Sequence, residues 1–123
     1  MKDELVSFKV AKLAKEKGFD EFQNIFYHNN AGGITLNTTN ERTHVNFRKH
    51  EKSYNAPTQS LLQRWLREEH NIRIGLTYFK AGTFWRYRIH HRDKWGDGNN
   101  SYEEALEVGL EEGLKLIKNG KED

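Results

Sequence analysis

The chain has no cysteine, a single proline, a single methionine and no long apolar run. Without Cys there is no disulfide framework and no zinc site built on thiolates. With one Pro, polyproline segments and proline-rich linkers are excluded. No stretch approaches the length of a membrane span, and Met1–Leu5 is charged where a signal peptide would need an apolar segment. A soluble, cytoplasmic protein is therefore expected, with no membrane partner.

What is present is charge and aromatic bulk. Of 123 residues, 31% are Asp, Glu, Lys or Arg and 12% are Phe, Trp or Tyr, with a formal net charge of +2. That aromatic content argues against disorder, and the length fits one domain with a core of its own. The charge is unevenly placed. From Ile72 to Trp95, six cations and one anion give +5; from Ser101 to Asp123, three cations and seven anions give −4. A basic segment followed by an acidic helix is either internally complementary or shows a charge gradient to a partner.

Three helices are predicted. Ser7 is placed to cap the first, which ends near Lys17 with Gly18 as the left-handed residue after it. Its core face is Val10, Leu13 and Ala14, and Lys9, Lys12, Lys15 and Lys17 form a solvated face. The second begins with Pro57 in its first turn, carries Leu62, Trp65, Leu66 and Glu69 on one stripe, and stops at Asn71. The third opens with the capping box Ser101-x-x-Glu104 and keeps Tyr102, Ala105, Leu106, Gly109, Leu110, Gly113 and Ile117 at helical spacing. Its two glycines cost helix propensity, about 1 kcal/mol each relative to Ala, so a close approach to the sheet or to another helix is expected there.

Between the helices the pattern is strand-like. Gln23–His28, Gly33–Asn37 and Thr43–Arg48 are bounded by turn residues, with a hairpin loop over Asn29–Gly33 and a second turn over Thr38–Glu41. From Ile72 the period is two: Ile72, Ile74, Leu76 and Tyr78 share a face, and after a turn at Lys80–Thr83 so do Trp85, Tyr87 and Ile89. Asp93–Asn100 reads as a loop. The expected fold class is α+β, in two layers, with an antiparallel sheet and about three helices packed on one face.

Leu5–Phe8, Ala11–Phe19, Ala56–Leu66 and Ser101–Leu106 resemble a family of small proteins common in Bacteroidetes phages, prophages and mobile elements. The similarity is strongest in the three helices, roughly a third to half of the chain. It implies a phage-related bacterial origin and brings neither an activity nor a catalytic residue with it.

The sharpest candidate site is the basic ladder Arg86, Arg88, His90 and Arg92. Alternate strand residues project about 7 Å apart, close to the spacing of phosphates along one nucleic-acid strand. Trp85, Tyr87 or Phe84 at the sheet margin would stack bases. The competing reading is an ordinary polar sheet face neutralised by Glu103 or Glu107. His91 and Asp93 fall on one side of a strand, and a metal would need a third ligand from His28, His44, His50 or His70; no metal and no cofactor is expected. No Ser stands in a strand-to-helix elbow, and Ser60 suits the first turn of a helix. These readings point to a non-enzymatic accessory protein that binds a partner through an exposed sheet face. A protein partner comes first, nucleic acid on Arg86, Arg88 and Arg92 second, and a small hydrolase a distant third.

Overall fold

The computed structural model describes residues 4–21, 25–30, 33–38, 53–80, 82–90, 94–118 and 121–122. Helix α1 spans Phe8–Glu16. Ser7 Oγ accepts from the Val10 N–H at 3.3 Å, taking up one of the orphan donors of the first turn. Gly18 has φ +102°, a conformation that glycine adopts without a Cβ clash, and Phe19 N then donates to Ala14 O at 2.9 Å. This reversal turns Phe19 into the core, edge-on to Trp65 at 5.3 Å. The lysines of α1 do more than face water. Lys9 pairs with Glu111 at 3.0 Å, Lys15 Nζ donates to Ser53 O at 2.8 Å, and Lys17 Nζ donates to Ile117 O.

Strands β1 (Ile25–Asn30), β2 (Gly33–Thr38) and β3 (Ser53–Asn55) form an antiparallel sheet in the order β2-β1-β3. Asn30 lies opposite Gly33, so β1 and β2 pair antiparallel as the expected hairpin requires. Tyr27 and Tyr54 face each other across β1 and β3, and Phe8 of α1 meets both rings edge-on at 5.7 and 5.4 Å. Tyr27 also donates its hydroxyl to Val6 O at 2.7 Å. The strand expected over Thr43–Arg48 and the turn over Thr38–Glu41 lie outside the described residues, apart from Thr38 itself.

Helix α2 runs Gln59–His70. Its N-cap is Thr58, whose hydroxyl accepts from Leu61 N at 3.3 Å, so Pro57 precedes the cap rather than standing in the first turn. The Pro57 carbonyl accepts from Val6 N at 3.0 Å, and Gln59 N donates to Glu4 O at 2.7 Å; the segment before α1 thus binds across the entry to α2. Leu62, Trp65 and Leu66 are buried, and the stripe continues to His70 rather than to Glu69. Asn71 stops the helix in the left-handed region at φ 54°, with Ile72 N closing back on Leu66 O at 3.0 Å.

Strands β4 (Ile74–Phe79), β5 (Phe84–Ile89) and β6 (Lys94–Trp95) make the second antiparallel sheet, in that order. Ile74 opposes Ile89, Leu76 opposes Tyr87 and Tyr78 opposes Trp85, which gives the inner face expected from the period-two pattern. Helix α3 (Tyr102–Lys115) lies on it, capped by Ser101 Oγ accepting from Glu104 N at 3.1 Å. The close approach foreseen at its glycines is there. A Cβ on Gly109 would lie 2.9 Å from Tyr87 Cβ and 3.0 Å from Ile74 Cγ2. One hydrophobic cluster joins α1, α2, α3, β4 and β5, with Tyr27 and Tyr54 of the first sheet packed against it. A two-stranded ribbon, β7 (Ile117–Lys118) and β8 (Lys121–Glu122), follows α3. The fold is α+β as expected, with its described strands divided among two three-stranded sheets and the two-stranded ribbon.

Candidate nucleic-acid interface

Strand alternation puts Gly75, Thr77, Phe79, Phe84, Arg86 and Arg88 on the face of the second sheet opposite α3, and β6 adds Trp95 beside Arg88. Trp95 stays 40% exposed, and two guanidiniums lie over it: Arg86 at 5.0 Å and Arg88 at 5.1 Å from the ring centre. Arg86 also covers Phe79 at 5.3 Å and donates Nε–H to the Gly96 carbonyl at 2.8 Å. Phe79 and Phe84 stack on one another at 5.4 Å. Arg88 Nε is buried and makes no hydrogen bond, and the Trp95 ring is the contact found for that guanidinium among the described residues. Such cation–aromatic contacts are worth about 0.5–1 kcal/mol each at exposed sites.

Of the residues expected in the ladder, Arg86, Arg88 and His90 share this face, and Arg92 lies outside the described residues. Of the aromatic residues expected beside the ladder, Phe84 is on this face and Trp85 and Tyr87 are not. Tyr87 is 4% exposed in the core, where burial first, then the Glu112 and Asp97 charges, push its hydroxyl above the ordinary tyrosine value against the opposing charge of Lys115. Trp85 is half-buried on the inner face, edge-on to Tyr102 at 5.2 Å. Both belong to the layer under α3, because residues 85, 87 and 89 alternate with the arginines. Phe79 and Trp95 stand where stacking was expected of Trp85 and Tyr87. Trp95 had one sequence signal, a lone large aromatic among Asp, Gly and Asn residues with no apolar pattern to account for it.

The α3 carboxylates point away from this face. Glu111 pairs with Lys9 and, at 3.4 Å, with Lys115; Glu112 pairs with Lys94 at 3.4 Å and Lys115 at 3.2 Å. Glu107 accepts from Ser7 N at 2.8 Å and from Gln59 Nε2 at 2.9 Å, and Gln59, 3% exposed, also donates to the Glu103 carbonyl. Burial raises the Glu111 carboxyl, but hydrogen bonds and charge from Lys9 and Lys115 outweigh it and hold the group below its ordinary value. The complementarity between basic segment and acidic helix is thus real but runs through Lys94. Among the described residues no carboxylate comes within ion-pair distance of Arg73, Arg86 or Arg88.

Other chemistry finds little support in the geometry. No three His, Asp or Glu cluster among the described residues; His28 Nδ1 meets Ser53 Oγ at 3.1 Å and His70 packs on Trp65 at 4.7 Å. His44, His50, His91 and Asp93 lie outside the described residues. Ser60 is in the first turn of α2, as expected. No described helix is long and apolar enough to cross a membrane. Comparison with known protein families, with curated proteins and with solved structures found no match to this chain.

Proposed function

We propose that this chain is a non-enzymatic nucleic-acid-binding protein that acts as an accessory factor of a phage or mobile element inside a bacterial host. The observation that carries the reading is the pair Arg86 and Arg88 stacked on Trp95, on the sheet face opposite α3, with no carboxylate at ion-pair distance among the described residues. The sequence puts a protein partner first, because a net charge of +2 is weak for a nucleic-acid binder and helix carboxylates could neutralise the ladder. With the Glu107, Glu111 and Glu112 carboxylates engaged elsewhere, the neutralising reading loses support, and we place nucleic acid first.

The physical logic is that of a single-strand platform. Bases of any identity stack on Trp95 and Phe79, each contact worth about 1–3 kcal/mol. Phosphates meet guanidiniums already held by rings, so little side-chain freedom is lost on binding. Mobility shift with single-stranded DNA and RNA and with duplex, at low and moderate salt, tests it. Retardation of single strands is expected, with log K falling against log salt with a slope of about −1.5 to −2 for two to three phosphates. Arg86→Glu with Arg88→Glu abolishes the shift, and the milder Gln pair weakens it while circular dichroism stays unchanged. No salt-dependent retardation of any nucleic acid overturns the reading and returns the face to a protein partner.

A further inference from the structure

At the end of the second sheet away from the β4–β5 turn lies a depression of about 200 Å³, lined by Gln63 and Arg67 of α2, Arg73 and Ile74 at the start of β4, and His90 just past β5. Two guanidiniums and an imidazole converge there, and among the described residues no carboxylate lines it. The walls are braced. Gln63 Nε2 donates to the Ile74 carbonyl at 2.8 Å, tying α2 to the edge strand. His90 N donates to Arg73 O at 2.9 Å, which holds two of the lining residues together. The His90 ring occupies the space above Gly75, where a Cβ would lie 2.8 Å from its Nε2. A glycine inside a strand weakens it unless something approaches closely; here the imidazole does. Arg67 is 3.8 Å from its neighbour Glu68, with both side chains well exposed. That contact competes weakly for the guanidinium, and Arg73 has no ion-pair partner among the described residues.

We propose that this depression is a phosphate site, taking a phosphate monoester or free phosphate through Arg67, Arg73 and His90. Three cationic or potentially cationic groups suit a monoester, which carries about −1.5 to −2 at neutral pH, better than the single charge of a backbone diester. Guanidiniums match its oxygens in bidentate fashion, and a shallow pocket admits a chain end more readily than an unbroken strand. His90 also continues the outer face of Arg86 and Arg88, so a strand lying there brings its terminal phosphate to this pocket. For that source the site rests on the nucleic-acid reading above; for free phosphate it does not.

The first measurement is a titration with inorganic phosphate, following the His90 ring resonances, assigned with His90→Gln. The second is fluorescence anisotropy with one oligonucleotide carrying a 5′-phosphate, a 3′-phosphate or neither. A saturable His90 shift that chloride at equal ionic strength does not reproduce is expected, and Arg67→Gln with Arg73→Gln removes it. A terminal phosphate should tighten oligonucleotide binding about tenfold. That advantage is lost in the Arg67/Arg73 variant and persists, on a weaker baseline, when Arg86 and Arg88 are replaced by Gln. Gly75→Ala is a second variant: the new methyl meets the far end of a flexible side chain, so the protein folds while the displaced ring weakens phosphate binding several-fold. A His90 shift without any terminal-phosphate advantage assigns the site to free phosphate. An advantage that vanishes in the Arg67/Arg73 variant, even without a shift from inorganic phosphate, assigns it to a strand end. Neither a saturable shift nor an advantage overturns the proposal, whatever the mobility shift shows, and a phosphate shift in a protein that retards no nucleic acid overturns only the function proposed above.

Discussion

A tryptophan on a two-residue strand has little core within reach, and Trp95 spends its surface on two guanidiniums instead. Trp95→Ala should therefore split two properties. Stability falls by about 1–2 kcal/mol from two lost cation–aromatic contacts, read from urea denaturation. Nucleic-acid affinity falls about 5- to 150-fold, as for loss of one stacked base, read by anisotropy. Equal affinity for wild type and variant would remove Trp95 from the interface. Trp95→Phe, which keeps a π-face, should recover much of both. The arginines were legible in the sequence because alternation over six residues is a strong signal. The same alternation already assigned Tyr87 to the apolar face, and its burial follows from that. Trp95 was not legible as a site because one aromatic in a turn-rich stretch has no period, and its place beside Arg88 depends on pairing between β5 and β6.

Elements with two or more turns, or with five or more alternating residues, were readable for the same reason: α1, α2, α3 and the β4–β5 hairpin repeat their pattern often enough to exclude other periods. β3 and β6, with three and two residues, offer no repeat, and their existence comes from long-range pairing. The start of α2 was misplaced by one cap because Pro57 and Thr58 are both helix-start residues, and the hydroxyl to Leu61 N decides between them. The α3 glycines show packing overriding propensity, and they are not equivalent. At Gly109 an added methyl meets Tyr87 Cβ at 2.9 Å, an atom that cannot move without the strand; at Gly113 the nearest atom is the Ile74 Cδ1 tip at 3.0 Å, followed by Ile72 Cγ2 at 3.3 Å. Overpacking costs about 1–3 kcal/mol and the gain in helix propensity returns about 1 kcal/mol. Gly109→Ala should lose up to about 2 kcal/mol, and Gly113→Ala should lie near neutral. Urea midpoints at unchanged slope measure both; a Gly109→Ala protein at least as stable as Gly113→Ala would contradict the close contact between α3 and the sheet.

Across the whole molecule, the ionisable side chains that fasten α1 and β1 to the rest set a pH window for folding. Glu111, held below its ordinary value because Lys9 and Lys115 outweigh burial, binds its proton less readily folded than unfolded. Its contribution is present above the ordinary carboxylate value and is lost as pH falls through the lowered folded value. Tyr27 is displaced the other way, by burial first and then by Glu107, and Tyr87 likewise by burial first and then by Glu112 and Asp97. Their neutral forms are favoured in the fold, so their contribution is present below the ordinary tyrosine value and is lost as pH rises through the raised one. Urea midpoints from about pH 3 to about pH 11, a range spanning the carboxylate and tyrosine titrations, should form a plateau that falls at both ends. Glu111→Gln should flatten the acid side and leave the alkaline side as it was. Tyr27→Phe should lower the plateau by about 1 kcal/mol for the lost bond to Val6 O and soften only the alkaline fall. An acid limb as steep in Glu111→Gln as in the wild type would mean that other carboxylates govern acid unfolding, and that the Lys9–Glu111 link between α1 and α3 contributes nothing to it.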